Sequence, residues 1–166
     1  ELSTSHIAKA LAEAAGKAPI HVFVTDGCYF GGVDQLKKLP ENVQYAIVSQ
    51  RAITLKEQLV LERGEEKARV LPGLNLTDSL EPTDSAATLA QQIVERGTGH
   101  SGVALAAIDM NAFREQLLPA LSQLSQVLTK SDRKLLATEP RIADEVKQVD
   151  LGHFLNSLDQ HASPHS

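Results

Sequence analysis

Along this chain the spacing of apolar positions switches between about 3.6 and 2 residues, and the switches mark out its elements. Ile7, Ala8, Leu11, Ala14 and Ala15 recur at spacings of three and four. They describe one face of a helix that Thr4 or Ser5 can cap and Gly16 can end. Residues 20–25 are a nearly continuous apolar, β-branched run interrupted by His21, which predicts a strand covered on both faces. Helical spacing returns at Val33, Leu36 and Leu39 and stops at Pro40, so a helix is expected to begin immediately beyond Cys28. Residues 43–49 predict a second buried strand. A strand–helix–strand crossover this short implies parallel neighbours, hence a sheet of the α/β type. Reactive groups in such sheets gather at the carboxyl ends of strands, and Asp26, Cys28 and Ser49 share that edge.

Beyond residue 50 the pattern loosens. Residues 58–63 and 67–71 flank Gly64-Glu65-Glu66 and predict a β-hairpin, exposed and charged. Thr83 or Asp84 is placed to cap a helix carrying Ala86, Leu89, Ala90, Ile93 and Val94 up to Gly97, and residues 103–108 predict a third buried strand. Asp109 then caps a long helix with a stripe of Phe113, Leu117, Leu118, Leu121, Leu124, Val127 and Leu128, kinked at Pro119. Further helices are expected from about Asp132 and over Leu151, Phe154, Leu155 and Leu158. The expectation is one domain over residues 1–160 with a flexible tail at 161–166.

Composition narrows the function. The 166 residues carry 16 Lys and Arg against 21 Asp and Glu, a formal charge of −5 without a basic run. A surface that must collect phosphates, on nucleic acid or on an anionic membrane, is therefore not expected. The longest apolar runs fall far short of the roughly 18 residues that span a bilayer. One cysteine, Cys28, excludes an intrachain disulfide and a site of paired Cys-x-x-Cys zinc ligands. Its thiol is either a small core residue or a nucleophile. For the nucleophile speak the predicted helix N-terminus, whose amides favour a thiolate, and Gly27, Gly31 and Gly32, which let a substrate backbone approach. For the core speaks the general tendency of lone cysteines to be buried.

At these residues the sequence resembles a family. Val22-Phe23-Val24-Thr25-Asp26-Gly27-Cys28-Tyr29-Phe30-Gly31-Gly32 resembles the catalytic-cysteine strand of clostripain-like cysteine peptidases, usually Asp-Ala-Cys followed by two hydrophobic residues. Tyr45-Ala46-Ile47-Val48-Ser49-Gln50 resembles the next strand with its Ser-Gln end. Ala106-Ala107-Ile108-Asp109 and the Leu-rich helix resemble a later strand and helix, and Val149-Asp150-Leu151-Gly152-His153-Phe154-Leu155 the closing Asp-Leu-x-x-Phe pattern. Four pieces in order, over roughly residues 7 to 158, give the likeness its weight.

The resemblance implies a caspase-like (caspase/hemoglobinase) α/β/α sandwich, with this chain as its C-terminal, nucleophile-bearing part. It implies peptide-bond hydrolysis through a Cys–His dyad and an acyl-enzyme, with Cys28 as nucleophile. It makes Asp26 part of an acidic pocket that selects Arg or Lys before the scissile bond, although Asp26 can also simply cap the following turn. Gly27 would line the site, and Ser49 and Gln50 would offer main-chain groups to a substrate added as a strand. The partners implied are a peptide or protein substrate and a His-bearing light chain or upstream segment. No cofactor is expected, calcium entering by resemblance alone, and a secreted or cell-envelope bacterial protein is favoured.

Three departures accompany the likeness. Gly27 replaces the usual Ala, a change between small residues expected to be tolerated. The stretch after Gln50 carries the charged hairpin instead of a Gly- and aromatic-rich segment. No His-Gly pair occurs in these residues. In the family that histidine precedes the cysteine strand by a helix and a loop, and proenzymes are cut between the two. Glu1 is then expected to be either a processing terminus or a boundary set by expression. Among the histidines present, His21 lies seven residues back on the same strand, some 23 Å away at about 3.3 Å per residue. That is too far for proton transfer. His6 and His153 accompany amphipathic helices, and His161 and His165 the tail. His100 reaches the active edge only if the third strand runs antiparallel. Without a base, the alternative function is a catalytically incomplete caspase-like binding or regulatory subunit. A third possibility is an unrelated α/β domain with Cys28 in its core.

Overall fold

The structure, a computed structural model, describes residues 3–25, 27–49, 57–62, 65–70, 80–101, 105–138, 141–143 and 146–162. The chain divides into two compact units, Glu1–Phe113 and Arg114–Ser166.

The first unit is mixed α/β. Helix α1 (Thr4–Ala15) is capped one residue earlier than expected, by Ser3, in a reciprocal box with His6, and Gly16 at φ 55° closes it. Strand β1 (Ile20–Val24) pairs in parallel with β2 (Val43–Ser49), Val22 opposite Tyr45 and Val24 opposite Ile47. The parallel crossover anticipated from the sequence is therefore present. Its helix, α2 (Val33–Leu36), is a single turn, prolonged to Leu39 by i→i−3 bonds that bring Leu36 and Leu39 into the core. Strand β5 (Leu105–Asp109) lies antiparallel on the other side of β2, with Leu105 opposite Ser49, so the sheet order is β1-β2-β5.

That order explains two corrections. Central β2 is buried at Val43, Ala46, Ile47, Val48 and Ser49, as its apolar run predicts. Strands β1 and β5 flank it: β1 is fully buried only at Phe23, so it is not covered on both faces as expected, and β5 only at Leu105, so it is less buried than expected. Helix α3 (Ala86–Ser101) packs on the sheet, closing a cluster of Ile47, Ala90, Ile93 and Leu105. Its first turn is capped by Ser85, whose hydroxyl accepts the Thr88 N–H at 3.2 Å, and it passes through Gly97 instead of ending there. A helix interior tolerates a glycine at about 1 kcal/mol. The hairpin is present as β3 (Glu57–Glu62) and β4 (Glu65–Val70), antiparallel with Glu62 opposite Glu65. Asp109 caps α4 (Met110–Ala112), accepting the Asn111 and Ala112 amides at 2.9 and 3.0 Å.

The expected long helix continues as a π-helical turn over Phe113–Leu117 and then α5 (Leu118–Val127). Pro119 stands in the first turn of α5, where its missing N–H matters least, and the irregularity falls on the π turn before it. In the second unit follow α6 (Lys130–Thr138), whose Asp132 and Thr129 cap each other, the antiparallel pair β6 (Arg141–Ala143) and β7 (Val146–Val149), and α7 (Leu151–Ala162). The short pair β6–β7 has no counterpart in the sequence reading. Helix α7 includes His161, placed in the tail by the sequence; residues 163–166 lie outside the described residues. No helix among the described residues is long and apolar enough to cross a membrane.

Candidate functional site

Parallel pairing brings the carboxyl ends of β1 and β2 to one edge, and Cys28 stands there in the turn that leaves β1. It is exposed, which removes the reading of the thiol as core filler. Its mount differs from the one expected. The helix does not begin beyond Cys28: residues 28–32 form a turn, and α2, with Gly32 at its N-cap, is only four residues long. A single turn sums too few peptide dipoles to activate the thiol in the way expected of a longer helix.

What holds Cys28 is a set of backbone anchors. The Thr25 amide donates to the Ile47 carbonyl at 3.1 Å, extending the β1–β2 ladder by one residue. The Thr25 hydroxyl accepts the Gly27 N–H at 3.0 Å. On the far side the Gly31 N–H reaches the Ser49 carbonyl at 3.0 Å, and the Phe30 amide donates to the Gly27 carbonyl at 3.4 Å. The Phe30 ring is buried against Phe23, centroids 5.7 Å apart and tilted 46°. Between these anchors Tyr29 takes φ 57°, a left-handed conformation that costs a non-glycine residue about 1–2 kcal/mol.

Each candidate residue has a definite place. Gly27 is half-buried beside Cys28, and a Cβ built on it would stand 3.2 Å from both Thr25 Oγ1 and Phe30 Cδ2. The alanine usual in the resembled family is therefore a crowded fit here, contrary to the easy exchange expected. Ser49 is fully buried. Its carbonyl accepts the Gly31 N–H and so ties the turn that carries Cys28 to the end of β2. Asp26 and Gln50 lie outside the described residues. Thr25 and Phe30, which hold the turn, were not singled out from the sequence. A threonine two residues before a glycine at a strand end was the available signal.

The histidines separate clearly. His21 points away into solvent and meets Gln44 Oε1 at 2.9 Å; His6 is part of the α1 cap. His153 is exposed on α7 in the second unit. His100 is in the last turn of α3, and β5 does run antiparallel, so the chain from α3 enters the sheet at the edge that carries Ser49. No cluster of three or more His, Cys, Asp or Glu suited to a metal occurs among the described residues. In the second unit an open groove between α5, α6 and α7 is lined mainly by Leu124, Val127, Leu128, Leu135 and Leu158. Ser131, Asp132, Lys134 and Thr138 complete its lining. Comparison of the chain with protein-family models, with curated proteins and with solved structures finds no match in any of the three.

Proposed function

We propose that this chain is the nucleophile-bearing part of a clostripain-like cysteine endopeptidase with a caspase-like fold. The observation that carries the reading is the exposed Cys28 on a turn anchored to the carboxyl ends of two parallel strands. That is where an open α/β sheet offers its reactive groups. Cys28 Sγ, as thiolate, adds to the peptide carbonyl, with the Cys28 amide as one donor to the oxyanion. The C–N bond breaks, the amine leaves with a proton from a histidine, and water then hydrolyses the thioester to the acid and restores the thiol. Asp26 is the counter-charge for Arg or Lys at the bond to be cut.

The histidine is supplied by a segment upstream of residue 1. Among the described residues no strand pairs with the outer edge of β1, whose ladder positions offer a place for one. The test is co-expression of this chain with its upstream segment, followed by assay on Arg and Lys peptides and labelling by a peptidyl chloromethyl ketone. Turnover with the label on Cys28 is expected. Absence of both turnover and label in a folded complex would overturn the proposal. A second reading takes its base from His100, favoured by the antiparallel course of β5. In that case residues 1–166 alone hydrolyse peptides, and His100→Ala ends the activity.

A further inference from the structure

We infer that His6 makes the start of α1 a pH-sensitive clasp, closed while its imidazole is neutral and loosened when that imidazole is protonated. This goes beyond the peptidase reading and does not depend on it. Ser3 and His6 hold each other reciprocally. The Ser3 hydroxyl accepts the His6 N–H at 3.4 Å, while His6 Nδ1 accepts the Ser3 N–H at 3.4 Å and lies 3.0 Å from Ser3 Oγ. Glu or Gln ordinarily closes such a box, and either keeps its acceptor at mildly acid pH. Imidazole is the side chain that changes charge between about pH 5 and 8. A protonated Nδ1 is a donor, so the Ser3 N–H loses its acceptor, and a cation then stands at the positive end of the helix dipole.

Two further observations make α1 responsive to that change. Its first turn contains no acidic residue to offset the added charge, and no residue of the helix is fully buried: Ile7, Ala8, Leu11 and Ala15 are half-buried, so local bonds carry more of its stability. Thr4, in that same turn, donates its hydroxyl to Gln35 Oε1 on α2. Loosening the cap therefore also loosens a tie between α1 and the helical turn that follows the Cys28 turn. The charged groups around the clasp do not take over the role of the missing acid. On α1, Lys9 pairs with Glu13 at 3.8 Å. On and just after α2 stand Asp34, Lys37 and Lys38, and among the described residues none of these five forms an ion pair with His6. Glu1 lies outside the described residues.

The test is amide hydrogen exchange on the full chain at about pH 8 and about pH 5, corrected for the intrinsic pH dependence of exchange, in wild type, His6→Gln and His6→Ala. In wild type the protection of the His6, Ile7 and Ala8 amides should fall about threefold at the lower pH, while residues Ala12 to Ala15 of the same helix keep theirs. His6→Gln restores the ordinary box with a side chain that carries no charge at either pH, and should show equal protection at both. His6→Ala lacks the acceptor and should show the lowered protection at both. Wild-type protection that does not change with pH overturns the inference. A fall of the same size in His6→Gln overturns it as well, since the titrating group would then lie elsewhere.

Discussion

Cys28 is a surface residue on a turn whose stability comes from its neighbours, so its thiol can be removed without opening the core. Cys28→Ala should abolish peptide hydrolysis in the assembled enzyme while shifting Tm by no more than about 3 °C, since exposed substitutions usually stay within about 0.5 kcal/mol. Activity assay and calorimetry on one preparation check both halves, and residual turnover above a few per cent would remove Cys28 from the nucleophile's role. Asp26 belongs to the same scale. Asp26→Asn should lower kcat/KM on Arg and Lys substrates by about a hundredfold, the scale of a lost buried charge partner, and leave neutral substrates far less affected. An equal loss on all substrates would make Asp26 a structural cap. Placement of Cys28 after a strand was legible from residues 20–32; two of the anchors that hold it, Gly31 to Ser49 and Thr25 to Ile47, were not, because they join residues distant in sequence.

Among the elements, helix starts are the most local features, and here a side chain one to three residues away decides them. Asp109 satisfies two amides at the start of α4, directly after β5. Asp109→Ala should cost about 1 kcal/mol, measured as a lower urea midpoint with unchanged slope. The β3–β4 hairpin is its own two-stranded sheet, inserted between β2 and α3. Deleting residues 57–70 and rejoining the chain should alter substrate or partner range more than thermal stability, compared across a peptide library and by thermal melts. A collapse of stability would make the hairpin part of the main structure. Helix α2 shows where periodicity misleads. Val33, Leu36 and Leu39 have helical spacing, yet only one α-helical turn forms, because three apolar positions fit a short turn with i→i−3 bonds equally well.

At the scale of the molecule, the division into Glu1–Phe113 and Arg114–Ser166 predicts where a core substitution is felt. Ile47 is fully buried in central β2 and packs with Ala90, Ile93 and Leu105. Ile47→Ala should destabilise the first unit by about 2–5 kcal/mol. Hydrogen exchange should accelerate together in β1, β2, β5 and α3, while amides of α5, α6 and α7 keep their wild-type rates. Uniform acceleration through both units would show that they unfold as one cooperative body.

The sequence by itself determined the class of the fold and the address of the thiol. Apolar runs at 20–25 and 43–49 with a short crossover admit parallel pairing and little else, and that pairing brings Thr25, Cys28 and Ser49 to one edge. The Asp109 cap and the existence of the hairpin were legible because their chemistry is local, while the caps of α1 and α3 fall one residue from the expected positions, on Ser3 and Ser85. Tertiary structure decided which strands are edges, the direction of β5, the burial of Ser49 and the crowding at Gly27. A run of apolar residues records only that a strand has something to bury. Whether one neighbour or two cover it depends on chain brought from elsewhere, and no local pattern carries that information.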